Sequence, residues 1–172
     1  MEIKKTIITS AGLKFEIIYN DVDNDSAFEG KKMESVRAYC FMNDRLLIVR
    51  ESEGNWGIPG GGLEKGESVR EGAVREVIEE TNMRITNMRL VGMHETIRPT
   101  GESVFHARVV CLVEPDGDFV EDPGGEVTEI KFIEPSEFIP MCDAHWGKQA
   151  DRMLERALEF KEQMKLEADS TK

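Results

Sequence analysis

Three glutamates close together in the sequence are its best candidates for chemistry. Glu76, Glu79 and Glu80 are spaced i, i+3 and i+4, which places their carboxylates on one flank of an α-helix. Like charges at this spacing repel one another, and a bound cation offsets that repulsion. The spacing therefore predicts a metal site built on a single helix.

The helix that carries these glutamates has a start signal and a stop signal. Ser68 and Glu71 form the Ser-x-x-Glu pattern of a capping box, and Asn82 stands where a left-handed residue ends a helix. Apolar residues recur at helical spacing between these caps, and all four are predicted to face a core: Ala73, Val74, Val77 and Ile78.

A glycine-rich loop lies immediately before the helix. Gly60, Gly61 and Gly62 follow the run Trp-Gly-Ile-Pro at residues 56–59. Successive glycines let a backbone approach a ligand closely and allow positive φ angles. A tight turn alone would also explain them, but their position beside the carboxylates favours a binding loop.

Composition narrows the class of protein. A chain of 172 residues, 40% hydrophobic and 33% charged, is expected to form one soluble domain. The formal charge of −12 argues against nucleic acid as the main partner, while a small phosphorylated substrate is compatible because a bound metal reverses the local charge. Three scattered cysteines, no signal-peptide core and no membrane-length apolar run predict a cytoplasmic protein without a membrane partner.

The rest of the sequence predicts an α/β protein. Strands are predicted at residues 3–9, 13–19, 36–42, 45–50, 90–93, 104–113 and 127–133. Residues 20–35 are polar and acidic and predict a mobile surface loop. A short helical turn is expected at residues 135–137, and a last helix from near Ala144 carries an apolar stripe for packing on the sheet. Its members are Ala150, Met153, Leu154, Ala157 and Leu158.

The stretch from Gly61 to Met83 resembles the Nudix box, Gly-x5-Glu-x7-Arg-Glu-U-x-Glu-Glu-x-Gly-U, where U is a bulky aliphatic residue. The residues in register with its fixed positions are Gly61, Glu67, Arg75, Glu76, Glu79 and Glu80, with Val77 and Met83 at the U positions. The one departure is Asn82 in place of the final glycine, and Asn also tolerates a left-handed C-cap. The resemblance implies a Nudix-type α/β/α sandwich with a mixed β-sheet over residues 36–172. Residues 1–35, a hairpin and an acidic loop, extend that domain.

The same resemblance implies the reaction and the site. Nudix hydrolases cleave a phosphoanhydride in a nucleoside diphosphate linked to another group, using Mg²⁺ or Mn²⁺. By position, the metal ligands would be the Gly61 carbonyl and the carboxylates of Glu76, Glu79 and Glu80. Glu79 is alternatively the base that activates water. Arg75 would hold a glutamate in place, and Glu67 would brace the loop or bind an outer metal.

Many family members complete the base function with a glutamate outside the box. Glu126, after Pro-Gly-Gly and before a predicted strand, is the candidate here. Its competitors are Glu95, Glu121 and Glu129. The three histidines show no pairing pattern and are expected to be structural or exposed: His94, His106 and His145.

The substrate is not specified by the sequence. Pro99 and the amino-terminal hairpin are similar to features of ADP-ribose-cleaving members, some of which dimerise through extra strands, so a homodimer is left open. Trp56 or Phe105 could stack on a base, although core packing is favoured for both.

One alternative function is that of a non-catalytic Nudix-fold sensor that binds a nucleotide or nucleotide sugar. Another is a prenyl-diphosphate isomerase of the same fold, which the intact box disfavours.

Overall fold

The computed structural model describes residues 1–119, 122–143 and 147–170. The strands are Glu2–Ile8 (β1), Lys14–Asp21 (β2), Met33–Met42 (β3), Arg45–Glu51 (β4), Trp56–Gly57 (β5), Met83–Ile97 (β6), Ser103–Pro115 (β7) and Val127–Ile133 (β8). The helices are Val69–Thr81 (α1), Pro135–Phe138 (α2) and Lys148–Ser170 (α3). A 3-10 turn spans Asp25–Phe28, and a π-helical turn spans Ile139–Asp143.

The strands form a single mixed sheet. Its order is β1-β2-β6-β7-β3-β4-β5, and β8 pairs with the other edge of β4. The β3–β7 pair is parallel, and the neighbouring β6–β7 and β3–β4 pairs are antiparallel. Helix α1 packs on one face of the sheet and α3 on the other. This arrangement confirms the predicted α/β/α sandwich with its mixed sheet and amino-terminal hairpin.

Strand β3 divides its side chains between two cores. Val36, Ala38 and Cys40 are buried in the core beneath α1, while Tyr39 and Phe41 are buried in the core beneath α3. Alternation follows from the two-residue period of a strand, which sends successive side chains to opposite faces. Strand β3 therefore contributes side chains to both hydrophobic cores.

The predicted packing face of α1 was half wrong. Ala73 and Val77 are buried against the sheet as expected, but Val74 and Ile78 are 40% and 38% exposed. The buried arc of the helix turns instead toward the glycine loop, where it includes the carboxyl-bearing residues Glu76 and Glu80. Glu76 and Glu80 are therefore buried at positions that the hydrophobic pattern of the helix assigns to solvent.

The acidic stretch after the hairpin contacts helix α3. Asp21 ends β2, and its Oδ2 accepts a hydrogen bond of 2.8 Å from Nη2 of Arg152 on α3. Asp23 pairs with Arg156, whose guanidinium also donates from Nε to the Val91 carbonyl at 2.8 Å. These aspartates fasten α3 to the sheet, and the mobility of the stretch stays a prediction.

Helix α3 carries the predicted apolar stripe, with Met153 and Ala157 fully buried. Its predicted start near Ala144 lies outside the described residues. No helix in the described part of the chain is both long and apolar enough to cross a membrane.

Candidate active site

Both predicted caps of α1 are present. Ser68 Oγ accepts from the Glu71 backbone N–H at 3.2 Å, and Glu71 Oε2 accepts from the Ser68 N–H at 2.9 Å. Asn82 has φ 55° and ψ 33°, the left-handed conformation expected of a C-cap. Local sequence signals therefore fix the length of the helix and the angular position of each glutamate on it.

Arg75 joins the helix to the loop before it. Its Nε and Nη2 donate to both oxygens of Glu67 at 2.8 and 2.9 Å, and Nη2 also donates to the Gly62 carbonyl at 2.9 Å. Its Nη1 contacts Glu76 Oε1 at 2.8 Å and Glu79 Oε2 at 3.2 Å. The hydrogen bonds from Arg75 lower the pKa of Glu67 to about 2, and the pKa of Arg75 is raised in turn. This forked ion pair braces the loop against the helix.

Two of the three helix carboxylates are buried. Glu76 and Glu80 are 9% and 7% exposed, whereas Glu79 lies on the surface. Burial raises the pKa of Glu80 to about 7 despite a hydrogen bond of 2.8 Å from the Gly60 N–H to its Oε2. Burial also raises the pKa of Glu76, and the charges of Glu79 and Glu126 raise it further. Two desolvated carboxyl groups, of which Glu76 raises the pKa of Glu80, form a site whose ionised state a cation would stabilise.

Two glycines of the loop, Gly60 and Gly61, make close contacts. A Cβ on Gly61 would lie 2.7 Å from Glu76 Oε1, so the Glu76 carboxylate would have to shift to admit any other residue. Gly60 has φ 134°, and a Cβ there would lie 2.2 Å from the Val36 carbonyl. The Gly61 carbonyl accepts from the Val36 N–H at 3.0 Å, which leaves it one lone pair for another partner. The loop thus lies directly against β3 on one side and the carboxylates on the other.

Among residues 1–119, 122–143 and 147–170, no three His, Cys, Asp or Glu side chains are grouped so as to form a ready-made metal site. The Arg75 contacts explain this, because they turn Glu76 and Glu79 toward the guanidinium. The donor set nevertheless suits a hard divalent cation, since it consists of carboxylate and carbonyl oxygens around a cradle that a Cβ would fill.

The structure places Glu126 near the helix carboxylates. Asp122, 8% exposed, accepts backbone hydrogen bonds from Gly124, Glu126 and Val127 at 2.7–2.9 Å and so shapes the turn before β8. The negative charge of Asp122 also raises the pKa of Glu80. Sequence reasoning missed Asp122, although an aspartate before Pro-Gly-Gly is the usual signal for a side chain that caps a turn.

The competitors of Glu126 occupy other places. Glu95 Oε1 accepts from Ser103 Oγ at 2.7 Å on the β6–β7 pair, and Glu129 pairs with Arg50 at 3.5 Å. Glu121 lies outside the described residues, as does His145. His94 is buried, and His106 Nδ1 lies 2.9 Å from Ser35 Oγ, as expected of structural histidines.

A cavity of about 550 Å³ opens on the α3 face of the sheet. Its lining includes Arg37, Glu51, Trp56, His94, Arg108 and Met153. Trp56 is half-buried in its wall, while Phe105 packs in the core on the α1 face, away from the cavity. The positive charge of Arg37 lowers the pKa of Glu80, which puts the cavity within electrostatic reach of the carboxylate site.

The cavity residues were not identified from the sequence. The available signal was a charged residue inside an apolar strand: Arg37 lies between Val36 and Ala38, and Arg108 between Ala107 and Val109. A strand buried on both faces has no solvent-facing position, so an arginine within it must point to a cavity or an ion pair.

Comparison with known proteins identifies the family. Residues 31–156 match the NUDIX domain model. A MutT-like protein of Streptomyces ambofaciens is 36% identical over 95 residues, covering 54% of this chain and 57% of the relative. The chain thus spans little more than half, or less, of the length of several curated relatives it matches.

Two solved structures share the fold. The Bacillus subtilis pyrophosphohydrolase BsRppH superposes with a TM-score of 0.63 at 15% identity, covering 90% of this chain and 96% of that one. The NUDIX domain of Shewanella oneidensis NrtR, in complex with ADP ribose, gives 0.53 at 18% identity, covering 79% and 92%. At these identities the likeness is one of fold.

Proposed function

Because this chain belongs to the NUDIX domain family, we propose that it is a metal-dependent hydrolase that cleaves a phosphoanhydride bond in a nucleoside diphosphate linked to another group. The observation that carries the proposal is the pair of buried carboxylates, Glu76 and Glu80, set against the backbone of Gly60 and Gly61. Two buried carboxylates with a single arginine partner are costly, and a bound divalent cation would offset that cost.

The proposed metal is Mg²⁺ or Mn²⁺. Its ligands would be the carboxylates of Glu76 and Glu80 and the carbonyl of Gly61, with Glu79 as a further ligand or as the base. Mg²⁺ favours such oxygen donors and keeps several waters. When bound, the ion would neutralise charge on the phosphate oxygens, which is the main requirement of phosphoryl chemistry.

The chain's own residues would supply positioning and proton transfer. Arg75 touches two of the proposed ligands and Glu67, so its role is to hold carboxylates in place. Glu79 is the exposed carboxylate of the helix, and Glu126 lies on a turn fixed by Asp122, so either could accept a proton from the attacking water. The position of Glu126 favours it over Glu95 and Glu129, which are engaged elsewhere.

A substrate screen tests this function. The full chain is incubated with nucleoside triphosphates, nucleoside diphosphate sugars including ADP-ribose, and dinucleoside polyphosphates, with Mg²⁺ or Mn²⁺, and phosphate is measured after added phosphatase. We expect turnover of at least one class and its loss in EDTA. Metal-dependent hydrolysis of none of them would contradict the proposal.

The second candidate is a non-catalytic module that binds a nucleotide or nucleotide sugar, the alternative left open by the sequence. The ADP-ribose complex of the NrtR NUDIX domain gives it a structural precedent. The complete set of box carboxylates in this chain favours the enzyme. Calorimetric binding of ADP-ribose without any hydrolysis in the same screen would favour the sensor.

A homodimer and a cytoplasmic location stay predictions. Strand β1 forms one edge of the sheet, so further strands could add to it. Analytical ultracentrifugation of the full chain distinguishes monomer from dimer.

A further inference from the structure

The glycine loop lies along the start of β3 as a short antiparallel ladder. Three backbone hydrogen bonds of 2.8–3.0 Å join the two segments, between the pairs Ala38 and Pro59, Val36 and Gly61, and Leu63 and Glu34. An antiparallel bridge between Ser35 and Gly62 belongs to the same ladder. The start of β3 therefore determines where the Gly61 carbonyl, a proposed metal ligand, lies.

The pairing of β3 with β7 is interrupted at Glu34. Met33 pairs with Phe105 and Ser35 with His106, so Glu34 is an extra residue, a bulge, between two consecutive partners. A bulge breaks the regular ladder and turns the side chain of the extra residue in a new direction. The position of Glu34 therefore depends on contacts other than those with β7.

Two such contacts hold Glu34, one through its backbone and one through its side chain. Its carbonyl accepts from the Leu63 N–H of the glycine loop at 2.9 Å. Its carboxylate accepts from Nη2 of Arg98 at 3.0 Å on Oε1 and at 2.9 Å on Oε2. Arg98 directly follows β6, so Glu34 links the turn between β6 and β7 to the glycine loop.

Arg98 belongs to an ion-pair network in which two cations and two carboxylates alternate. Its Nη1 donates to Glu102 Oε2 at 3.0 Å, and Lys32 Nζ lies 2.8 Å from Glu102 Oε1 and 3.5 Å from Glu34 Oε1. The hydrogen bonds from Lys32 and Arg98 lower the pKa of Glu102. A single exposed ion pair contributes little, whereas a network around one planar guanidinium restricts all of its members.

The turn between β6 and β7 is closed by its backbone. The two strands stay paired as far as Ile97 and Ser103, the Arg98 N–H donates to the Glu102 carbonyl at 2.9 Å, and the Gly101 N–H donates to the Arg98 carbonyl at 2.8 Å. The side chains of the network add to these bonds a link to the start of β3. That link fixes the bulge, and through the bulge it fixes one end of the ladder with the glycine loop.

We propose that Arg98 is a positioning residue for the metal site: through Glu34 it holds the start of β3 against the glycine loop, and so keeps the Gly61 carbonyl in place for a divalent cation. This inference rests on the proposed function, in which Gly61 is a ligand. Groups that orient a ligand from outside the coordination sphere affect metal affinity without touching the ion.

Two roles of Arg98 predict opposite changes in metal affinity. If Arg98 acted only by its charge, it would repel a cation, and its removal would tighten metal binding. If Arg98 acts by position, its removal releases Glu34 and the end of the ladder, and metal binding weakens. The direction of the change therefore distinguishes positioning from simple electrostatics.

The first test measures metal affinity without turnover. Mn²⁺ is titrated into the full chain in the absence of nucleotide, and its dissociation constant is measured by calorimetry. We expect Arg98→Met to bind Mn²⁺ about fivefold more weakly than the wild type, less than is typical of a group that contacts a ligand directly. Arg98→Lys should lie between them, because it keeps the charge but loses the planar group that bridges two carboxylates.

Arg89→Met is the matched control for the loss of an arginine. Arg89 lies on β6, is about as exposed as Arg98, and pairs with Glu167 on α3. We expect this variant to bind Mn²⁺ as the wild type does. Unchanged or tighter binding by Arg98→Met, or an equal loss in Arg89→Met, would overturn the inference.

A double-variant cycle tests whether Arg98 acts through Glu34. Mn²⁺ affinity is measured for Arg98→Met, Glu34→Gln and the variant that carries both changes. We expect the double variant to bind no more weakly than the weaker single variant, because both changes break the same link. Losses that multiply independently would overturn the inference. Thermal unfolding is measured alongside, since a purely structural role would lower Tm and leave the Mn²⁺ affinity of the folded protein unchanged.

This inference and the proposed function can fail separately. If the wild type binds Mn²⁺, Glu76→Gln loses that binding and Arg98→Met matches the wild type, only the role of Arg98 is overturned. If Mn²⁺ binds but no substrate in the screen is hydrolysed, the proposed reaction fails, and the Arg98 variants still test the metal site. If Arg98→Met does not fold, Arg98→Lys replaces it, with weaker Mn²⁺ binding again expected. A wild type that binds no Mn²⁺ would overturn both.

Discussion

The two faces of the sheet on either side of β3 hold different charged groups and are assembled in different ways. The α1 face presents carboxylates from one continuous stretch, ordered by a capped helix and the forked bonds of Arg75. The α3 face presents arginines from strands about 70 residues apart, brought side by side by the register of a parallel pair. Because the side chains of β3 alternate, Val36 and Arg37 belong to different faces.

The comparison shows which groups stabilise buried charged side chains on each face of the sheet. On the α1 face, repulsion between carboxylates is offset within the motif, by Arg75 and by the Gly60 N–H. On the α3 face, the Arg37 guanidinium donates to the Ile58 carbonyl and pairs with the partly exposed Glu51. We therefore expect the α1 face, where the carboxylates meet the glycine loop, to determine the rate of the reaction.

The largest expected effect separates the faces by kinetics. Glu79→Gln and Glu80→Gln should each lower kcat about a hundredfold or more, because the variants lose a base or a charge that acts at the reacting atoms. Arg45→Gln, on β4 and paired with Glu134, should leave kcat unchanged. Steady-state kinetics on the substrate found in the screen, with circular dichroism as the folding control, makes the comparison. Unchanged metal-dependent hydrolysis in both glutamate variants would refute the site.

Metal binding should stabilise the protein through the α1 face alone. Mg²⁺ at a hundred times its dissociation constant should add roughly 2.7 kcal/mol to the free energy of unfolding, because it binds only the folded site. Differential scanning fluorimetry should show this as a rise in Tm that is lost in Glu76→Gln and kept in Arg108→Gln. An equal rise in all three proteins would place the ion elsewhere.

Acid should destabilise the α3 face through His94. The pKa of this imidazole is lowered to about 2 by burial, so the unfolded chain takes up its proton near pH 6.5 while the folded chain does not. The contribution of His94 to the free energy of unfolding is therefore complete above pH 6.5. It decreases as the pH falls below 6.5, by at most about 1.4 kcal/mol per pH unit. Urea unfolding at pH 7.5 and pH 5.5 should show a smaller loss for His94→Gln than for the wild type. The free energy of unfolding of each protein is compared between the two pH values, so any packing lost in the variant cancels. An equal change with pH in both proteins would exclude a contribution from His94.

The smallest expected effect concerns the departure from the Nudix box. Asn82→Gly restores the glycine at a position with φ 55°, but it removes a 2.8 Å hydrogen bond from Asn82 Nδ2 to the Asp118 carbonyl. The easier left-handed backbone and the lost bond should nearly cancel, leaving a change within about 1 kcal/mol. Urea unfolding measures it, and kcat should not change, since no carboxylate moves. A large loss of kcat would mean that Asn82 acts on the site.

Local signals predicted well wherever an interaction spans only a few residues. The caps at Ser68 and Asn82, the hairpins and the bounds of β8 follow from turn and capping chemistry within a few positions. The burial of α1 was mispredicted because hydrophobic periodicity assigns Val74 and Ile78 to the core and carboxylates to solvent. In this helix the glycine loop covers Glu76 and Glu80. The hydrophobic periodicity of a helix cannot predict a contact with a loop outside it.

The sequence by itself determined the family, the fold class and the identity of the box glutamates, because their spacing on a helix is a local geometric property. Only the tertiary structure decided which of them are buried, that Asp122 holds the turn bearing Glu126, and that Arg37 faces Arg108. These facts depend on strand register and on which loop covers which helix. Such contacts join residues far apart in the chain, so their energies are set by packing rather than by sequence neighbours.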